Sequence, residues 1–585
     1  MNSFRSLAYV ATALFAVSGM QVAKATITPG PLFTDNAVFQ QNQPIPVWGT
    51  ADPNEPITVS IKGQNVKTVS GSDGNWSVRL KPIRAGGPYT LNVAGAANDK
   101  VTLNNILVGE VWICSGQSNM EYPMKGWTQP AFSKEAIPAS ADPLLHFVIV
   151  PHNVGITPQT TVGGAWQEAT VDTVPNLSAV GYFFGRELRK ALHVPVGLIH
   201  DNWGGTPAQA WTSHEALAAN PAFHHYLKEE YLYPTLIPLQ LVDYYNKLDK
   251  YNADLQKFQA DVAAAKTAGN PIPTNAPQSP RKPVDNEHWP NGASHLYNGM
   301  IAPIIPYGIR GAIWYQGESN GGDGYGYKSL FPAMITDWRT RWGQGDFPFL
   351  FVQLAPFMPI SSTPLPKGAN SWADLREAQR QTLNTLPNTG MAVITDLGDV
   401  KDIHPRRKEP VGVRLALIAR ANVYGQNVEY SGPVYKAIEK FSVHRSFGNG
   451  DALTPSILNA KPKGDQPVSP SAPALRVWFW HAKGLKAIEV HNVSDDGDVV
   501  APAGKLVGFE VAGADGEYFT ADAIIDGDSV VVSSPNVKSP VAVRYGWANY
   551  PVANLSNGAG LPASPFKTDN WPWASEPSAF PGPPK

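Results

Sequence analysis

The spacing of apolar residues changes several times along the chain. Over about 26–105, short segments alternate apolar and polar residues, as in ITVSI at 57–61 and WSVRL at 76–80. A period of two is typical of strands that bury one face. We therefore predict a small N-terminal β domain over 26–105.

The middle of the chain, 106–425, has continuous apolar segments followed by segments with helical spacing. Such apolar segments indicate a parallel sheet covered on both faces, and we predict an α/β domain with its active loops at the carboxyl ends of the strands. Helices are predicted over 178–192, over 372–386 and from about 409. The predicted strands are EVWICSG, VPVGLIH, GAIWY, PFLFVQL and GMAVITD.

One part of this region breaks the alternation. Apolar residues recur there at steps of four and three, which predicts a long helix with a heptad-like seam that begins near Pro238. We interpret 215–290 as a helical insertion followed by a Pro-rich loop, either a structural support or one wall of a substrate cleft. The seam consists of Tyr244, Leu248, Tyr251, Leu255, Phe258 and Val262.

Strand patterns return after Gly425, in segments such as LRVWFW and PVAVRYGW that are separated by Gly and Asp turns. They predict a C-terminal β-sandwich region over 426–553. The last part, 554–585, contains PSAFPGPPK and is predicted to be an extended tail.

Composition narrows the class of protein. A net charge of -2 over 585 residues gives no basic surface for nucleic acid or anionic lipid and favours a neutral or uncharged substrate. The first 25 residues have the pattern of a cleaved signal peptide ending at AKA, so we expect a secreted or periplasmic protein without a membrane anchor. Cys114 is the only cysteine, which excludes an internal disulfide.

Ser118 lies in VWICSGQSNMEYPM, directly after a predicted strand. A serine in this position is more often a turn or cap residue than a nucleophile. The stretch also lacks the G-x-S-x-G elbow, since Met120 occupies the place of the second glycine. Its chemistry therefore depends on whether a base and oxyanion donors exist elsewhere.

Three further strand-end loops supply such groups. NWGGTPAQAW contains Gly205, whose N–H can approach a ligand, and GAIWYQGESN contains Gln316, whose side chain carries N–H donors. DLGDVKDIHPRRK contains His404 close to several aspartates. Four loops that each bring one component predict an acyl-transfer site. Trp203 and Trp211 flank the GGTP loop and are candidate sugar-stacking residues. We expect no cofactor, and no histidine spacing indicates a metal site.

Together, GQSNM, GGTP, WYQGESN and DIHP resemble the SGNH-type hydrolases of the sialate O-acetylesterase-like carbohydrate esterases. The resemblance extends from PLFTDNAVFQ to NLSNGAGLPASPF. It implies an SGNH-hydrolase, flavodoxin-like parallel sheet, with the helical insertion and flanking β domains as additions.

Carried over by position, the resemblance implies that Ser118 is the nucleophile and His404 the base. The oxyanion donors would be the N–H groups of Ser118 and Gly205 and the side chain of Gln316. Glu318 and Asn320 would shape their loop, and Glu318 is also a candidate substrate contact.

The acidic partner of His404 is open at this stage. The family commonly has aspartate three residues before the histidine, where this chain has Lys401. We predict Asp402 for this role, with Asp399 as the alternative. Asp402 could instead cap the helix that follows it.

The predicted function is hydrolysis of acetyl esters on carbohydrates. The resemblance points to sialic acid esters, and the same framework also serves plant cell-wall glycans such as acetylated xylan or xyloglucan. The sequence contains no obvious arginine clamp for a sialate carboxylate, so both substrates stay open. A hypothesis of another class is an inactive esterase scaffold that binds glycans through its β regions.

Overall fold

The computed structural model describes residues 27–96, 99–127, 130–280, 282–360, 371–443, 472–491 and 499–576. The predicted signal peptide lies outside these ranges. No helix within them is long and apolar enough to cross a membrane.

Seven short strands form the start of the described chain. Strands β4 and β6 alternate buried and less buried positions, which confirms the period of two seen in the sequence. The bounds are β1 (Thr28–Pro29), β2 (Val38–Gln40), β3 (Ile45–Thr50), β4 (Pro56–Ile61), β5 (Gln64–Val69), β6 (Asn75–Leu80) and β7 (Gly86–Ala94).

The next strand, β8 (Lys100–Gly116), is 17 residues long and belongs to two parts of the molecule. Its first half pairs with β7 and β2, and its second half lies at the centre of the main sheet. The boundary that we predicted at 105 therefore falls inside a single strand. Strands β2, β4, β5 and β7 therefore belong to the same hydrogen-bonded sheet as the central strands, whereas β1, β3 and β6 form a separate sheet.

The central sheet has the strand order β10-β9-β11-β8-β12-β13-β14. All neighbours are parallel except β10, which is an antiparallel edge strand, so the sheet is mixed. The five predicted strand segments all contribute strands, whereas β9 and β10 were not predicted. The bounds are β9 (Asp142–Ile149), β10 (Trp166–Ala169), β11 (Val196–Asn202), β12 (Gly311–Tyr315), β13 (Phe349–Val352) and β14 (Thr389–Ala392).

Helices cover both faces of this sheet. Helices α3 and α8 pack in one apolar cluster and α6 and α7 in another, as expected for continuous apolar strands. The three predicted helices correspond to α3, α7 and α8. The bounds are α1 (Ser118–Glu121), α2 (Ala131–Ala136), α3 (Ala179–Leu192), α4 (His214–Ala218), α5 (His224–Ala268), α6 (Gly324–Trp342), α7 (Ser371–Thr385) and α8 (Lys408–Asn422).

Helix α5 has 45 residues and begins well before the predicted start near Pro238, with Pro234 and Pro238 inside it. The Tyr226 hydroxyl donates to Asp323, and the Tyr233 ring stacks on Trp289 at 3.7 Å. These contacts anchor the base of the helix. They lie on either side of the point, one turn before Pro234, where a proline usually ends or kinks a helix.

The Pro-rich segment after α5 returns along the helix. From Tyr233 to the helix end at Ala268, a straight helix rises about 52 Å at 1.5 Å per residue. The Tyr233 hydroxyl nevertheless donates to the Val284 carbonyl at 2.9 Å. The intervening chain must therefore be almost fully extended, as prolines favour. The six seam residues are half-buried, whereas most of their helical neighbours are exposed.

The C-terminal region forms two antiparallel four-stranded sheets that share one apolar core. Phe566–Lys567 forms a strand of the second sheet and Leu555–Ser556 a strand of a separate two-stranded pair, so part of the predicted tail belongs to the C-terminal β region. The first sheet contains β15 (Val434–Val443), β16 (Ala472–Trp480), β22 (Asp522–Asp526) and β23 (Ser529–Ser533). The second contains β20 (Phe509–Ala512), β21 (Tyr518–Thr520), β24 (Ala542–Tyr545) and β26 (Phe566–Lys567). The remaining strands pair as β17 (Lys486–Ala487) with β25 (Leu555–Ser556) and β18 (Val490–His491) with β19 (Val499–Ala501).

Arg376 on α7 connects this C-terminal region to the central sheet. Its guanidinium is fully buried and donates at 2.7–2.9 Å to the backbone carbonyls of Leu354, Ala355, Ala548 and Asn549. Two of these carbonyls follow β13 and two follow β24. One side chain therefore pairs four polar groups at the junction.

Candidate active site

Ser118 is presented by a sharp turn at the end of β8. Gly116 has φ +135°, and a Cβ atom there would lie 2.2 Å from the Tyr315 carbonyl oxygen, so only glycine fits. Ser118 is then the first residue of α1. The first N–H groups of a helix have no acceptor within the helix. Within the described residues, the Ser118 N–H has no other acceptor and is available to a ligand.

His404 lies in the loop between β14 and α8, opposite Ser118. Its Nε2 is 2.9 Å from the Ser118 Oγ. On the other side of the ring, Nδ1 is 3.3 Å from Asp402 Oδ1, and the same oxygen accepts the His404 backbone N–H at 2.9 Å. Three side chains are thus in line for proton transfer away from the hydroxyl.

Asp399, the alternative acid, has a different position. It is buried, and its Oδ1 accepts the backbone N–H groups of Lys401 and Asp402 at 2.8 and 3.2 Å. Asp399 therefore shapes the turn that carries Asp402, and Asp402 is the carboxylate against the His404 ring.

The GGTP loop brings two glycines beside Ser118 in different ways. Gly204 approaches most closely, since a Cβ there would be 3.1 Å from the Ser118 Cβ, but its N–H donates to Glu121 Oε2 at 2.6 Å. Gly205 has φ +76°, and no acceptor for its N–H lies in the described part of the chain. Of the two, Gly205 has the donor that a ligand could use.

The structure corrects the prediction for Gln316. The Ala208 N–H can only donate, and it donates to Asn320 Oδ1, so that atom is an oxygen. Gln316 Nε2 donates to this oxygen at 2.7 Å and to the Thr206 carbonyl at 3.3 Å, and Gln316 Oε1 accepts from Tyr327. Because both of its N–H groups have acceptors inside the protein, the fully buried Gln316 side chain is not free to bind an oxyanion.

Glu318 is also buried at its carboxylate and does not face a substrate. Its Oε1 accepts from Asn119 Nδ2 at 2.5 Å, and Asn119 Oδ1 accepts from the fully buried Lys408 ammonium. Asn119 Nδ2 also donates to the Ile403 carbonyl at 3.0 Å. This Lys408–Asn119–Glu318 network therefore ties the loop of Ser118 to the loop of His404.

The network also influences the electrostatics of the base. Burial and the nearby Lys408 ammonium lower the pKa of His404, and Asp402 opposes them only in part. Burial likewise lowers the pKa of Lys408 to about 7 and raises the pKa of Glu318. His404 thus stays neutral at lower pH than a free histidine, and only a neutral histidine can act as a general base.

The tryptophans are only partly as predicted. Trp211 is fully buried, with its ring edge-on to Trp314 and its N–H donating to Thr206 Oγ1, so it cannot stack on a sugar. Trp203 is half-buried and stacks on His152 at 4.0 Å with 6° between the planes. The exposed aromatic ring at the site is Trp127, which lies edge-on to His404 at 4.8 Å.

Sequence reasoning missed Lys408, Asn119 and Trp127. Lys408 ends the charged run PRRK, which is typical of a solvated helix start, so its complete burial gave no signal. Asn119 stands beside Ser118 in GQSNM and could have been suspected as a polar partner. Trp127 lies in a loop without strand or helix periodicity.

Comparison with known proteins gives evidence about the family that does not depend on this geometry. Residues 284–416 match the family model described as carbohydrate esterase, sialic acid-specific acetylesterase. Sialate O-acetylesterase of Mus musculus is 30% identical over 439 residues, which cover 70% of this chain and 76% of the mouse protein. The chain belongs to the sialate O-acetylesterase-like carbohydrate esterases.

Two further relatives agree with this family. Sialate O-acetylesterase of Rattus norvegicus is 29% identical, also over 439 residues, with 70% and 76% of the two chains covered. A crystal structure of a carbohydrate acetylesterase from Xanthomonas citri superposes with a TM-score of 0.70 at 34% identity, covering 93% of this chain and 100% of that one. This carbohydrate esterase is therefore an ester hydrolase that acts on O-acetylated sugars.

Proposed function

We propose that this esterase removes acetyl groups from carbohydrates with Ser118 as nucleophile, His404 as general base and Asp402 as the acid that orients the base. The observation that carries the proposal is the 2.9 Å contact between His404 Nε2 and Ser118 Oγ, which joins loops 286 residues apart in sequence. The mixed α/β sheet and the strand-end loops support an SGNH-type arrangement. The AKA segment supports a cleaved signal peptide and a secreted or periplasmic location.

The proposed mechanism uses only groups of this chain. His404 Nε2 takes the Ser118 proton as Oγ attacks the ester carbonyl, and the Ser118 and Gly205 N–H groups hold the oxyanion. His404 then gives the proton to the sugar oxygen as it leaves. Water, deprotonated by the same histidine, hydrolyses the acetyl-enzyme and releases acetate.

The test of the nucleophile is hydrolysis of p-nitrophenyl acetate by the wild type and by Ser118→Ala. We expect turnover by the wild type and a loss of about 10⁴-fold or more in the variant, because residues of a catalytic triad act as a unit. Thermal unfolding at an unchanged temperature is the control for folding. A wild type without turnover would overturn the proposed activity.

The test of the acid compares Asp402→Asn with Asp399→Asn. We expect Asp402→Asn to reduce kcat strongly, because the amide holds the wrong tautomer of the histidine. Asp399→Asn should mainly lower the unfolding temperature, since the donors to its carboxylate in the described part of the chain are the backbone N–H groups of Lys401 and Asp402. Near-normal turnover by Asp402→Asn would contradict the assignment.

Two classes of substrate are candidates, and each would imply a different biological role. The curated relatives are named for sialate esters, whereas the relative from Xanthomonas citri is described only as a carbohydrate acetylesterase. Acetate release from O-acetylated sialic acid and from acetylated xyloglucan or xylan oligosaccharides distinguishes the two classes. Equal failure on all of them would point to a third glycan.

A further inference from the structure

The two proposed oxyanion donors lie on different loops. The Ser118 N–H is at the start of α1, after β8, and the Gly205 N–H is in the GGTP loop, after β11. Both donors must lie about 2.7–3.1 Å from the oxyanion, so a misplacement of about 0.5 Å already takes one of them out of range. The reaction therefore depends on the contacts that hold the GGTP loop against α1.

Glu121 makes such a contact from the other end of α1. It is the last residue of the helix that Ser118 begins, and its Oε2 accepts the Gly204 N–H at 2.6 Å. The approach leaves no room for a side chain, since a Cβ atom on Gly204 would lie 2.9 Å from that oxygen and 3.1 Å from the Ser118 Cβ. Fixing the Gly204 N–H orients the peptide unit next to the one that carries the Gly205 donor.

His152 holds the same loop through two further groups. Its Nε2 lies 3.2 Å from Glu121 Oε1 and 3.2 Å from the Asn202 carbonyl, which can only accept, so Nε2 carries a proton. Its ring stacks on the Trp203 ring at 4.0 Å, with 6° between the planes. Together with the Gly204 contact, Glu121 and His152 therefore bind three consecutive residues at the start of this loop.

The surroundings of Glu121 favour its ionised form. Burial alone would raise the pKa of its carboxyl, but the contacts with His152 and the Gly204 N–H lower the pKa below the usual value. A hydrogen bond from an N–H group to a carboxylate is roughly twice as strong as one between neutral groups. The bond to Gly204 is therefore a strong and directional link between α1 and the GGTP loop.

We infer that Glu121 is a positioning residue, which holds the GGTP loop at the distance from Ser118 that lets the Gly205 N–H bind the oxyanion. His152 supports Glu121 in this role. The inference rests on the proposed function, because it takes Ser118 as the nucleophile and Gly205 as a donor. Since it requires no contact between Glu121 and a sugar, the effect of Glu121 extends to esters that contain no sugar.

Hydrolysis of p-nitrophenyl acetate tests this role, because that ester has no sugar. We expect Glu121→Ala to lower kcat about 10–100-fold with little change in KM, since the Gly205 donor remains but is misplaced. Glu121→Gln keeps an oxygen acceptor for the Gly204 N–H and should recover most of the loss. The matched control is Glu135→Ala, which removes an exposed glutamate from α2 and should leave kcat unchanged.

A boronic acid distinguishes positioning from damage to the fold. Methylboronic acid adds to a nucleophilic serine to form a tetrahedral adduct that imitates the transition state, so its Ki reports on the oxyanion donors. We expect Glu121→Ala to raise this Ki by about the factor by which kcat/KM falls, and Glu121→Gln to restore it. A merely structural loss would reduce the fraction of active enzyme and leave Ki unchanged.

Three outcomes would overturn the inference. These are an unchanged kcat in Glu121→Ala, an unchanged Ki in that variant, and a Glu121→Gln variant as impaired as Glu121→Ala. Circular dichroism and the unfolding temperature establish that each variant folds. The proposed function fails differently: if Ser118→Ala retains turnover, the nucleophile is wrong, whereas an inactive Ser118→Ala beside a fully active Glu121→Ala rejects the positioning role alone.

Discussion

At the scale of single residues, the buried Lys408 says as much about the candidate site as Ser118 does. Lys408 reaches Asn119, the neighbour of Ser118, and its charge acts on His404. A buried ammonium is costly unless it is paired and hydrogen-bonded. Its presence here therefore points to a positioning role that links nucleophile, base and protonation state.

The pH profile of Lys408→Met tests this role. In the wild type, the lowered pKa of His404 keeps the base neutral, so kcat/KM should persist to lower pH than a free histidine would allow. Since Lys408 has a pKa of about 7, it is cationic in the acidic range where His404 titrates. Removing the charge raises the pKa of His404, and we expect the acidic limb of log kcat/KM to move to higher pH.

The control for this experiment is Lys401→Met, which removes an exposed lysine from the loop that carries His404. It should leave the limb where it is in the wild type. A Lys408→Met profile that falls uniformly at all pH values would contradict the electrostatic role and leave a purely structural one.

Gln316 leads to a prediction about stability. Gln316→Ala leaves the buried Tyr327 hydroxyl without its acceptor and removes the donor to Asn320. We expect the free energy of unfolding to fall by about 1–3 kcal/mol, the usual cost of an unpaired buried polar group. Chemical denaturation measures it. An oxyanion donor would behave differently, with stability retained and kcat reduced by about 10²–10³-fold.

Single residues also show which parts of the candidate site could be predicted from the sequence. The proximity of Ser118, His404 and Asp402 could be predicted because each follows a strand of the central sheet or its loop, and parallel strands bring such loops together. The orientation of Gln316 could not be found in this way, because its donor bonds to Asn320, and Ala208 from the GGTP loop fixes the orientation of the Asn320 amide. Burial of Lys408 likewise depends on partners from two distant loops.

At the scale of elements, the clearest departure from the sequence prediction is the α5 arm, by which we mean helix α5 and the Pro-rich segment that returns along it. Its start was misplaced because Pro234 and Pro238 normally end a helix, whereas here Tyr226 and Tyr233 anchor the base through tertiary contacts. The seam periodicity, by contrast, was a reliable signal for the rest of the helix.

Shortening the α5 arm tests whether it is a structural support or a wall of the substrate cleft. We would replace 245–278 by a short Gly-Ser linker, which retains the anchored base and the end of the return segment. Because the anchoring contacts lie at the base, we expect the unfolding temperature and kcat/KM on acetylated oligosaccharides to stay close to wild-type values. A loss confined to oligosaccharides, with p-nitrophenyl acetate unaffected, would identify the arm as a wall of the cleft.

At the scale of the whole molecule, the C-terminal β region depends on the central sheet through Arg376. Substitution by methionine would remove the donors that the described part of the chain offers to the buried Leu354 and Ala548 carbonyls. The Ala355 and Asn549 carbonyls would keep donors from Trp372 Nε1 and the Phe357 N–H. Since each unsatisfied buried group costs about 1–3 kcal/mol, we expect a loss of several kcal/mol in the free energy of unfolding. Calorimetry should show it as a large fall in Tm. Arg380→Met, on the same helix, is the control and should cost less, because among the described residues its ion pair is with Glu377 alone.

Because β8 lies between β11 and β12 in the central sheet, it is synthesised well before one of its two neighbours. β8 has β11 on one side and β12 on the other, and roughly 200 residues separate the end of β8 from β12 in sequence. At 5–20 residues per second, a nascent chain waits about 10–40 s for that second neighbour. During this interval the strand that ends in VWICSG has an open apolar edge. His404 is synthesised later still, so the proposed nucleophile meets its proposed base only after most of the chain exists, and we expect N-terminal fragments to be inert as esterases.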